Sequence, residues 1–448
     1  MSQKPPDRAR AIQSKTKKAF DRIAHMTAHM AKNKAFLAHL QREPQTSFAE
    51  TLKRFQARFA AYRRNWHDIP ARALREKLHG SILKQEGIVP LSVDLELSAI
   101  CDLACPFCYR QHIATPDKLM KKSLVNTVID QAAAMGVPAI KFNWRGEPLL
   151  HPYLPQAISR AKQAGILDTI INTNAVTLTE KKSRALIESG LDLMIYSFDG
   201  GAASSYEGMR PGRFRTNTFQ AVYANIRRFA EIRAEMGAEF PRTRIQMLLT
   251  TETFSEQESF SRLFSDCVDD VSVKAYTERG GCLADLDEAS RRKLKEFFQD
   301  TKLPDSTPYW RDMDGNLFVS KNRIPCEQPY QRIMVGYDGR AAMCCYDWGC
   351  EHPIGYLSER AIKNGEADYQ AALKASKNGA KGYELIKDLR LPHPHITPPP
   401  VVQSLEEIWH GEIINKVRKK HLDGDIEAVM VCRMCPFKET YNWQKVKL

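Results

Sequence analysis

Short strand-like segments alternate with amphipathic helical segments between residues 91 and 276, and this alternation limits the fold more than any other feature. The strand-like segments are residues 93–97, 139–142, 169–172, 193–198, 244–249 and 271–276. Strands that alternate with helices at this spacing are typical of a parallel βα sheet or barrel. We count six βα units, two short of a closed eight-stranded barrel. The predicted class is therefore α/β, a partial (βα)6 TIM-like barrel.

The segment before the barrel has a different character. Residues 1–90 carry 19 Lys+Arg against 7 Asp+Glu, so they hold a net +12 of the chain's +13. Apolar residues at helical spacing predict helices over 11–40 and 48–62 and a third after Pro70. We interpret residues 1–88 as a basic helical extension. Its basic face either docks an anionic partner or is a solvated face whose apolar side packs on the barrel, and we favour the second interpretation.

The segment after the barrel loses the alternation. Residues 360–390 are rich in Lys and Ala, and residues 391–400 contain five prolines, which excludes regular structure there. We therefore predict three domains: the extension at 1–88, the barrel at 89–300, and an α+β domain at 301–448. The third domain carries an insertion near 352–400.

Several classes of protein are excluded by what the chain lacks. No apolar run approaches the roughly 18 residues of a transmembrane helix, and no apolar region follows the first ten residues as a signal peptide requires. Eleven cysteines, an odd number, suit reduced thiols better than disulfides. We expect a cytoplasmic protein with no transmembrane segment.

A tight cysteine cluster follows the first predicted strand, at Cys101, Cys105 and Cys108. Three thiolates within eight residues can converge on one soft metal centre. A zinc site would need a fourth ligand, which His112 could supply. An iron–sulfur cube can instead be held by three cysteines, which leaves one iron open to a small molecule. Spacing alone leaves both interpretations open.

A second motif, Gly146-Glu147-Pro148, follows the second predicted strand. Glycine lets a backbone approach a ligand closely, and a carboxylate beside it can take a cationic amine. Loops after parallel strands meet at one face of a barrel. We therefore expect the acid and the cysteines to share one ligand site.

With Phe107 before the last cysteine, these motifs resemble those of the radical S-adenosylmethionine (SAM) superfamily. The resemblance implies a [4Fe–4S] cluster on the three cysteines, with the SAM amine and carboxylate on the fourth iron. It implies a SAM-amine motif at Gly146, Glu147 and Pro148, although Arg145 stands where the family usually has a further glycine.

Three further segments resemble SAM-contacting segments of the same superfamily. Ser197-x-Asp199-Gly200 is similar to the family's S-x-D-G, which implies that Ser197 and Asp199 lie near the SAM ribose. Arg210 belongs to a segment whose arginine can meet the SAM carboxylate. Asn174, after the third strand, fits more weakly.

A second set of cysteines comprises Cys326, Cys344, Cys432 and Cys435. A Cys-x2-Cys pair with two distant cysteines can form a four-thiolate site, for which zinc and iron–sulfur are equally compatible. The segment 404–409 together with this pair resembles the SPASM auxiliary-cluster domain. Because no cysteine follows Cys435, the resemblance is to the shorter twitch type with one auxiliary [4Fe–4S] cluster, with spacing similar to that of aminocyclitol dehydrogenases of butirosin biosynthesis.

The remaining cysteines near this set are Cys345 and Cys350, which we interpret as buried thiols. The resemblance implies a 5′-deoxyadenosyl radical, an external reductant such as flavodoxin or ferredoxin, and an electron passed to the auxiliary cluster. We predict an oxidoreductase, a dehydrogenase in type, acting on a sugar, an aminocyclitol or a similar small polar substrate. Tyr276, Glu278 and Arg279, after the sixth strand, are candidate proton acceptors.

Two alternative functions stay open at this point. One is a radical SAM/SPASM maturase that modifies a peptide substrate. The other is a zinc-stabilised nucleic-acid-binding module, which the basic extension would suit.

Overall fold

A computed structural model describes residues 47–111, 115–250, 253–275, 309–311, 317–350, 352–378, 401–433, 435 and 440–445. The helix predicted over 11–40 lies outside the described residues, as does His112. The helices are α1 (Phe48–Glu76), α2 (Ser81–Gln85), α3 (Lys122–Ala134), α4 (Leu154–Gln163), α5 (Glu180–Glu188), α6 (Ala203–Met209), α7 (Phe219–Glu235), α8 (Gln257–Phe264), α9 (Glu359–Lys377), α10 (Leu405–Trp409), α11 (Glu412–Leu422) and α12 (Met430–Arg433). The strands are β1 (Ser92–Leu95), β2 (Ala139–Lys141), β3 (Asp168–Thr173), β4 (Leu193–Ser197), β5 (Arg242–Leu249), β6 (Asp270–Ala275), β7 (Tyr309–Arg311), β8 (Leu317–Arg323), β9 (Arg332–Val335), β10 (Arg340–Ala342), β11 (Gly355–Tyr356) and β12 (Tyr441–Lys445).

The partial (βα)6 barrel is confirmed. Strands β1 to β6 pair in sequence order, and every neighbouring pair is parallel. Each predicted strand coincides with an observed one to within two residues. Because the strands are parallel, their carboxyl ends all lie at one edge, which we call the barrel mouth.

The barrel sheet does not end at β1. Strand β9 pairs parallel with β1, with Leu95 opposite Val335, and β10 and β11 continue the sheet antiparallel. The order is β11-β10-β9-β1-β2-β3-β4-β5-β6, and a separate sheet has the order β12-β8-β7. The predicted boundary at residue 301 therefore lies between strands of one sheet, and the three-domain division remains a prediction.

Helix α1 covers the end of the barrel opposite the mouth. Its Phe55, Phe59 and Tyr62 are buried with Leu91 and Leu167, which flank the starts of β1 and β3. These positions are four and three residues apart, so they lie on one face of the helix. The apolar side of this part of the extension packs on the barrel.

The prediction of a separate helix after Pro70 is wrong, because α1 continues through Pro70 to Glu76. A proline within a helix leaves the carbonyl four residues earlier without its usual donor. Here that carbonyl, of Trp66, accepts a hydrogen bond from Gln331 Nε2 at 2.6 Å. The tertiary contact thus satisfies the group that the proline leaves open.

None of the helices within the described ranges has an apolar stretch long enough to cross a membrane.

Candidate active site and auxiliary metal centre

The cysteine loop, residues 101–108, lies at the barrel mouth between the ends of other strands. The Glu147 N–H donates to the Ile100 carbonyl at 2.8 Å, which joins the loop to the end of β2. The Ala104 N–H donates to the Pro211 carbonyl at 2.9 Å, and Leu103 forms a β-bridge with Gly212. The loop is therefore held from both sides by backbone contacts.

The three thiols of this loop are gathered and largely desolvated. Burial raises the pKa of Cys101, Cys105 and Cys108 to about 12 in each case. The Cys105 thiol and Glu147 raise the pKa of Cys101 further, while Arg210 opposes the rise for Cys105. Such thiols become thiolates only when a bound metal supplies positive charge. The donor set thus fits a soft metal centre. The charged side chains of the protein do not supply the positive charge that would ionise these thiols.

Gly146 is required by contacts inside the protein. Its φ of +64° lies in the left-handed region, and a Cβ built there would lie 2.2 Å from the Ser98 carbonyl oxygen and 2.6 Å from the Ile100 carbonyl oxygen. The close approach that we predicted towards a ligand is, in the structure, an approach to the backbone before Cys101. Only glycine lets the loop after β2 lie against the cysteine loop.

Glu147 is oriented by three hydrogen bonds and is almost fully buried. Its Oε1 accepts from the Leu149 N–H at 3.0 Å and the Thr173 hydroxyl at 2.7 Å, and its Oε2 accepts from the Asn174 N–H at 2.8 Å. Burial and the neighbouring Asp102 carboxylate raise the pKa of Glu147 to about 7, against the lowering effect of these donors. The acid is fixed in position and would be stabilised by a cation.

Asp102 is a site residue that the sequence did not reveal. Its Oδ1 accepts from Asn174 Nδ2 at 2.7 Å, while its buried Oδ2 has no hydrogen-bond partner among the described residues. A buried, unsatisfied carboxylate oxygen is costly unless a ligand satisfies it. Two neighbouring buried acids with one open oxygen fit a cationic group such as the SAM ammonium. In the sequence, only the position of Asp102 next to Cys101 points to a place in the site.

The predicted ribose and carboxylate contacts lie together near the same loop. Asp199 is fully buried, with Oδ1 accepting from the Leu248 N–H at 2.6 Å and Oδ2 accepting from Arg210 Nε at 2.8 Å. The Arg210 guanidinium lies 5.7 Å from the ring centre of Phe107, within the cysteine loop. Asp199 therefore positions Arg210, and Ser197 ends β4 beside them. Their contacts with SAM remain predictions.

The Arg145 side chain is buried in an ion pair beside the end of β1. Its Nε and guanidinium NH2 donate to the two carboxylate oxygens of Glu96 at 2.6 and 2.7 Å, and both residues are buried. Glu96 Oε2 also accepts from the Tyr337 N–H at 3.0 Å. An arginine is accommodated at this position because its charge is paired with the residue that follows β1.

The second set of cysteines converges on one recess. Its lining, which is partly open to solvent, includes Cys326, Cys344, Cys432 and Cys435. They come from the segment after β8, the end of β10 and the region of α12. Burial, followed by the nearby Cys345 and Cys432 thiols, raises the pKa of Cys344 well above its ordinary value.

Four thiols around one space, of which Cys344 and Cys432 are buried and Cys326 and Cys435 half-buried, fit the donor set of an auxiliary iron–sulfur cluster. Within the part of the chain that the structure describes, no three His, Cys, Asp or Glu side chains are close enough to hold a single metal ion.

Hydrogen bonds surround the recess. The Gln328 N–H donates to Cys326 Sγ at 3.4 Å, and the Tyr441 hydroxyl donates to the Cys435 carbonyl at 2.6 Å. Arg323 donates to the Cys432 carbonyl at 2.5 Å. The last two contacts fix the backbone carbonyls of both cysteines of the Cys-x2-Cys pair.

His421 is the second site residue that the sequence did not reveal. Its Nδ1 accepts from the Cys326 N–H at 3.0 Å, and its Nε2 lies 3.4 Å from Cys432 Sγ. Burial and the charge of Arg323 lower the pKa of His421 to about 4. It lies eleven residues before Cys432 on α11, and nothing in the sequence indicates that it faces the recess.

Cys345 and Cys350 are buried, with 7% and 1% exposure, and neither lines the recess. The three candidate proton acceptors, Tyr276, Glu278 and Arg279, lie outside the described residues. Their roles stay predictions.

Comparison with protein families decides the identity of the barrel. Residues 95–262 match the radical SAM superfamily. These residues form a radical SAM domain. Its cofactors are a [4Fe–4S] cluster and SAM, and the buried cysteines of the recess fit an auxiliary cluster. The match favours the iron–sulfur interpretation of Cys101, Cys105 and Cys108 over zinc.

Curated relatives match this radical SAM domain over short stretches. The GTP 3′,8-cyclase of Chlorobaculum tepidum is 33% identical over 107 residues, covering 24% of this chain and 32% of the cyclase. The PqqA peptide cyclase of Gluconobacter oxydans is 34% identical over 115 residues, covering 24% of this chain and 30% of the cyclase. The chain thus spans about a third of the length of each of these two relatives.

Solved structures align over more of the chain at lower identity. BtrN in complex with AdoMet and 2-DOIA is 14% identical and covers 80% of this chain and 99% of that one, with a TM-score of 0.40. Streptococcus suis SuiB bound to precursor peptide SuiA is 17% identical and covers 68% and 66%, with a TM-score of 0.42.

Proposed function

We propose that this protein is a radical SAM oxidoreductase that oxidises a small polar substrate, such as a sugar or an aminocyclitol, by two electrons. The observation that carries the proposal is the convergence of Cys326, Cys344, Cys432 and Cys435 on one recess. A site with four protein thiolates leaves no iron open, so it is suited to accept an electron and not to bind the substrate.

The barrel mouth supplies the first half of the reaction. Cys101, Cys105 and Cys108 would hold the SAM-binding cluster, and Glu147 with Asp102 would take the SAM ammonium. Arg210, fixed by Asp199, would face the SAM carboxylate. When bound, the reduced cluster and SAM supply a 5′-deoxyadenosyl radical, which removes one hydrogen atom from an unactivated C–H bond of the substrate. The residues of the mouth orient the reactants and exclude water.

The second half of the oxidation removes one proton and one electron from the substrate radical. The hydrogen atom carries away the first electron. Loss of the second electron completes a two-electron oxidation and forms a double bond at the carbon that lost the hydrogen atom. Tyr276, Glu278 and Arg279 remain the candidates for the proton. The recess is where the protein would hold the electron acceptor, and an external reductant such as flavodoxin or ferredoxin supplies the electron that starts each cycle.

A peptide-modifying maturase is the second candidate. It is favoured by the relatives named PqqA peptide cyclase, which match this chain at 32% to 34% identity. The two candidates share the same cysteines and differ in the substrate that the mouth accepts. The nucleic-acid-binding interpretation is not proposed further, because it rests on zinc sites that the radical SAM match disfavours.

The test is anaerobic reconstitution followed by reaction with SAM and dithionite. We expect about eight irons per chain, two cubes of four, and formation of 5′-deoxyadenosine. Cys101→Ala should abolish 5′-deoxyadenosine formation. Cys432→Ala should retain it but lose oxidation of the substrate.

The contrary outcomes are specific. Formation of 5′-deoxyadenosine by Cys101→Ala at the parent rate would refute the assignment of the mouth. A parent chain with only four irons, or substrate oxidation by Cys432→Ala, would refute the role of the recess. A product found only in a peptide fraction would replace the first candidate by the second.

A further inference from the structure

His421 contacts two of the three chain segments that supply the cysteines of the recess. It is 1% exposed and lies near the end of α11, whereas Cys326 follows β8 and Cys432 lies in α12. Its two ring nitrogens contact different groups. Nδ1 lies 3.0 Å from the Cys326 backbone nitrogen, and Nε2 lies 3.4 Å from Cys432 Sγ. The histidine thus joins two chain segments that are more than 100 residues apart in sequence.

The first contact determines where the ring proton lies. A backbone N–H can only donate, so Nδ1 of His421 must accept and therefore carries no proton. In a neutral imidazole the proton then lies on Nε2. The second contact is for this reason an N–H···S hydrogen bond, in which Nε2 donates to Cys432 Sγ.

We infer that His421 is a positioning residue that raises the reduction potential of the auxiliary cluster by donating this hydrogen bond to the Cys432 thiolate. The inference rests on the proposed function, which places a cluster in the recess. A hydrogen bond to a cluster sulfur stabilises the reduced form, which carries one more negative charge. The Gln328 N–H, which donates to Cys326 Sγ at 3.4 Å, and the nearby Arg323 cation act in the same direction, whereas the buried Asp347 carboxylate acts against them.

With a higher reduction potential, the auxiliary cluster would accept an electron from a substrate radical more readily. Donors and a cation near the sulfurs make the recess a better acceptor than thiolates in an apolar surrounding. His421 is the donor that a substitution can remove, since the Gln328 donor belongs to the backbone. No proton needs to move for this effect, which is purely electrostatic.

The experiment is a potentiometric titration of the anaerobic holoprotein followed by electron paramagnetic resonance (EPR). The auxiliary signal is identified by its loss in Cys432→Ala. We expect His421→Leu to change the reduction equilibrium of the auxiliary cluster at least threefold. At about 59 mV per tenfold change for one electron, this lowers its reduction potential by about 28 mV. His421→Gln, which keeps an amide donor, should recover part of the shift.

The matched control is His151→Leu. His151 is also buried, its Nδ1 accepts from the Tyr153 N–H at 3.2 Å, and its Nε2 contacts the Met120 carbonyl at 2.9 Å. It has the same hydrogen-bonding pattern with a carbonyl in place of the sulfur. We expect no change in the auxiliary potential in this variant.

A second measurement covers the case in which His421→Leu does not retain the cluster. The parent protein labelled with 15N-histidine should show weak 15N coupling to the reduced auxiliary cluster by pulsed EPR, and His421→Gln should lack it. An unchanged potential in His421→Leu, or absence of the 15N coupling in the parent, overturns the inference while the proposed function stands. Absence of any cluster from the recess overturns both. If the potential shifts in His421→Leu but the parent protein oxidises no substrate, the proposed function is overturned and the inference stands.

Discussion

The two cysteine sites are built in opposite ways. At the barrel mouth, Cys101, Cys105 and Cys108 come from one loop. The buried carboxylates of Glu147 and Asp102 lie near them, and Arg210 offsets part of this negative charge. In the recess, Cys326 and Cys344 are joined by a distant pair, and hydrogen-bond donors contact the sulfurs. A surplus of carboxylate suits a site that takes a cationic ligand, whereas donors suit a site that gains negative charge. The two proposed roles, ligand binding at the mouth and electron acceptance at the recess, therefore differ in the surroundings of the cysteines more than in the cysteines themselves.

The largest effect is expected beside the mouth, at the Glu96–Arg145 pair, which also accepts a hydrogen bond from the Tyr337 N–H before β10. Arg145→Met would leave Glu96 buried without its cation, and breaking a buried ion pair from one side costs about 3–5 kcal/mol. Differential scanning calorimetry of the apoprotein should show the loss, and Glu96→Gln in the same chain should restore much of it. If the single variant were as stable as the parent, the pair would not join the mouth to the segment around Tyr337.

The next effect concerns the backbone contact that holds the cysteine loop against β2. Gly146→Ala places a Cβ against the Ser98 and Ile100 carbonyls, so we expect about 2–5 kcal/mol of lost stability from the combined backbone strain and overlap. Gly136→Ala is the control, because Gly136 has a φ of +77° and open space around a built Cβ. It should cost only about 1–2 kcal/mol.

Urea unfolding of both glycine variants checks this prediction. Equal losses for the two would show that the positive φ alone matters at Gly146. In that case the close approach to the cysteine loop would have no energetic role.

The mouth should lose affinity for a cation when one of its acids is neutralised. Asp102→Asn retains one oxygen that can accept the hydrogen bond from Asn174. It removes the negative charge and replaces the unsatisfied Oδ2 by an amide nitrogen. We expect SAM to bind roughly tenfold more weakly, about 1.4 kcal/mol, in equilibrium dialysis of the holoprotein with an unchanged iron content. The same affinity as the parent would mean that Glu147 alone takes the ammonium.

The effect farthest from the two cysteine sites lies at the opposite end of the barrel, where it reports the stability of the barrel alone. Burial and the neighbouring Asp192 raise the pKa of Asp168 to about 6, against the lowering effects of Arg63 and Lys162. Because the folded state holds this proton more tightly than the unfolded state, stability is greatest below the ordinary pKa of about 4 and falls as the pH rises to about 6.

Asp168→Asn should flatten that fall. The free energy of unfolding, measured by urea titration at pH 4, 5, 6 and 7, should change less with pH in the variant than in the parent, by roughly 2 kcal/mol over this range. An identical pH dependence in the two proteins would contradict the raised pKa. No change in either cysteine site is expected, since Asp168 begins β3 and the mouth lies at the other end of the strand.

The sequence determined the barrel and the mouth because their signals are local. The strand and helix periods repeat along the chain, and Cys101, Cys105 and Cys108 lie within one loop beside a recognisable Gly146-Glu147 motif. A parallel sheet brings the ends of successive strands to one edge, so the meeting of Glu147 with the cysteines follows from order alone. The four cysteines of the recess could be grouped by resemblance, but their convergence could not be derived from spacing.

Only the tertiary structure decided the rest. Asp102 and His421 are ordinary polar residues in sequence, and their roles arise from burial and from partners contributed by other segments. The continuation of α1 through Pro70 depends on Gln331, more than 250 residues away, and β9 joins the barrel sheet beside β1 across a similar distance. Hydrogen bonds and charge pairing act over a few ångströms in space, whatever the separation along the chain, and the sequence contains no record of that proximity.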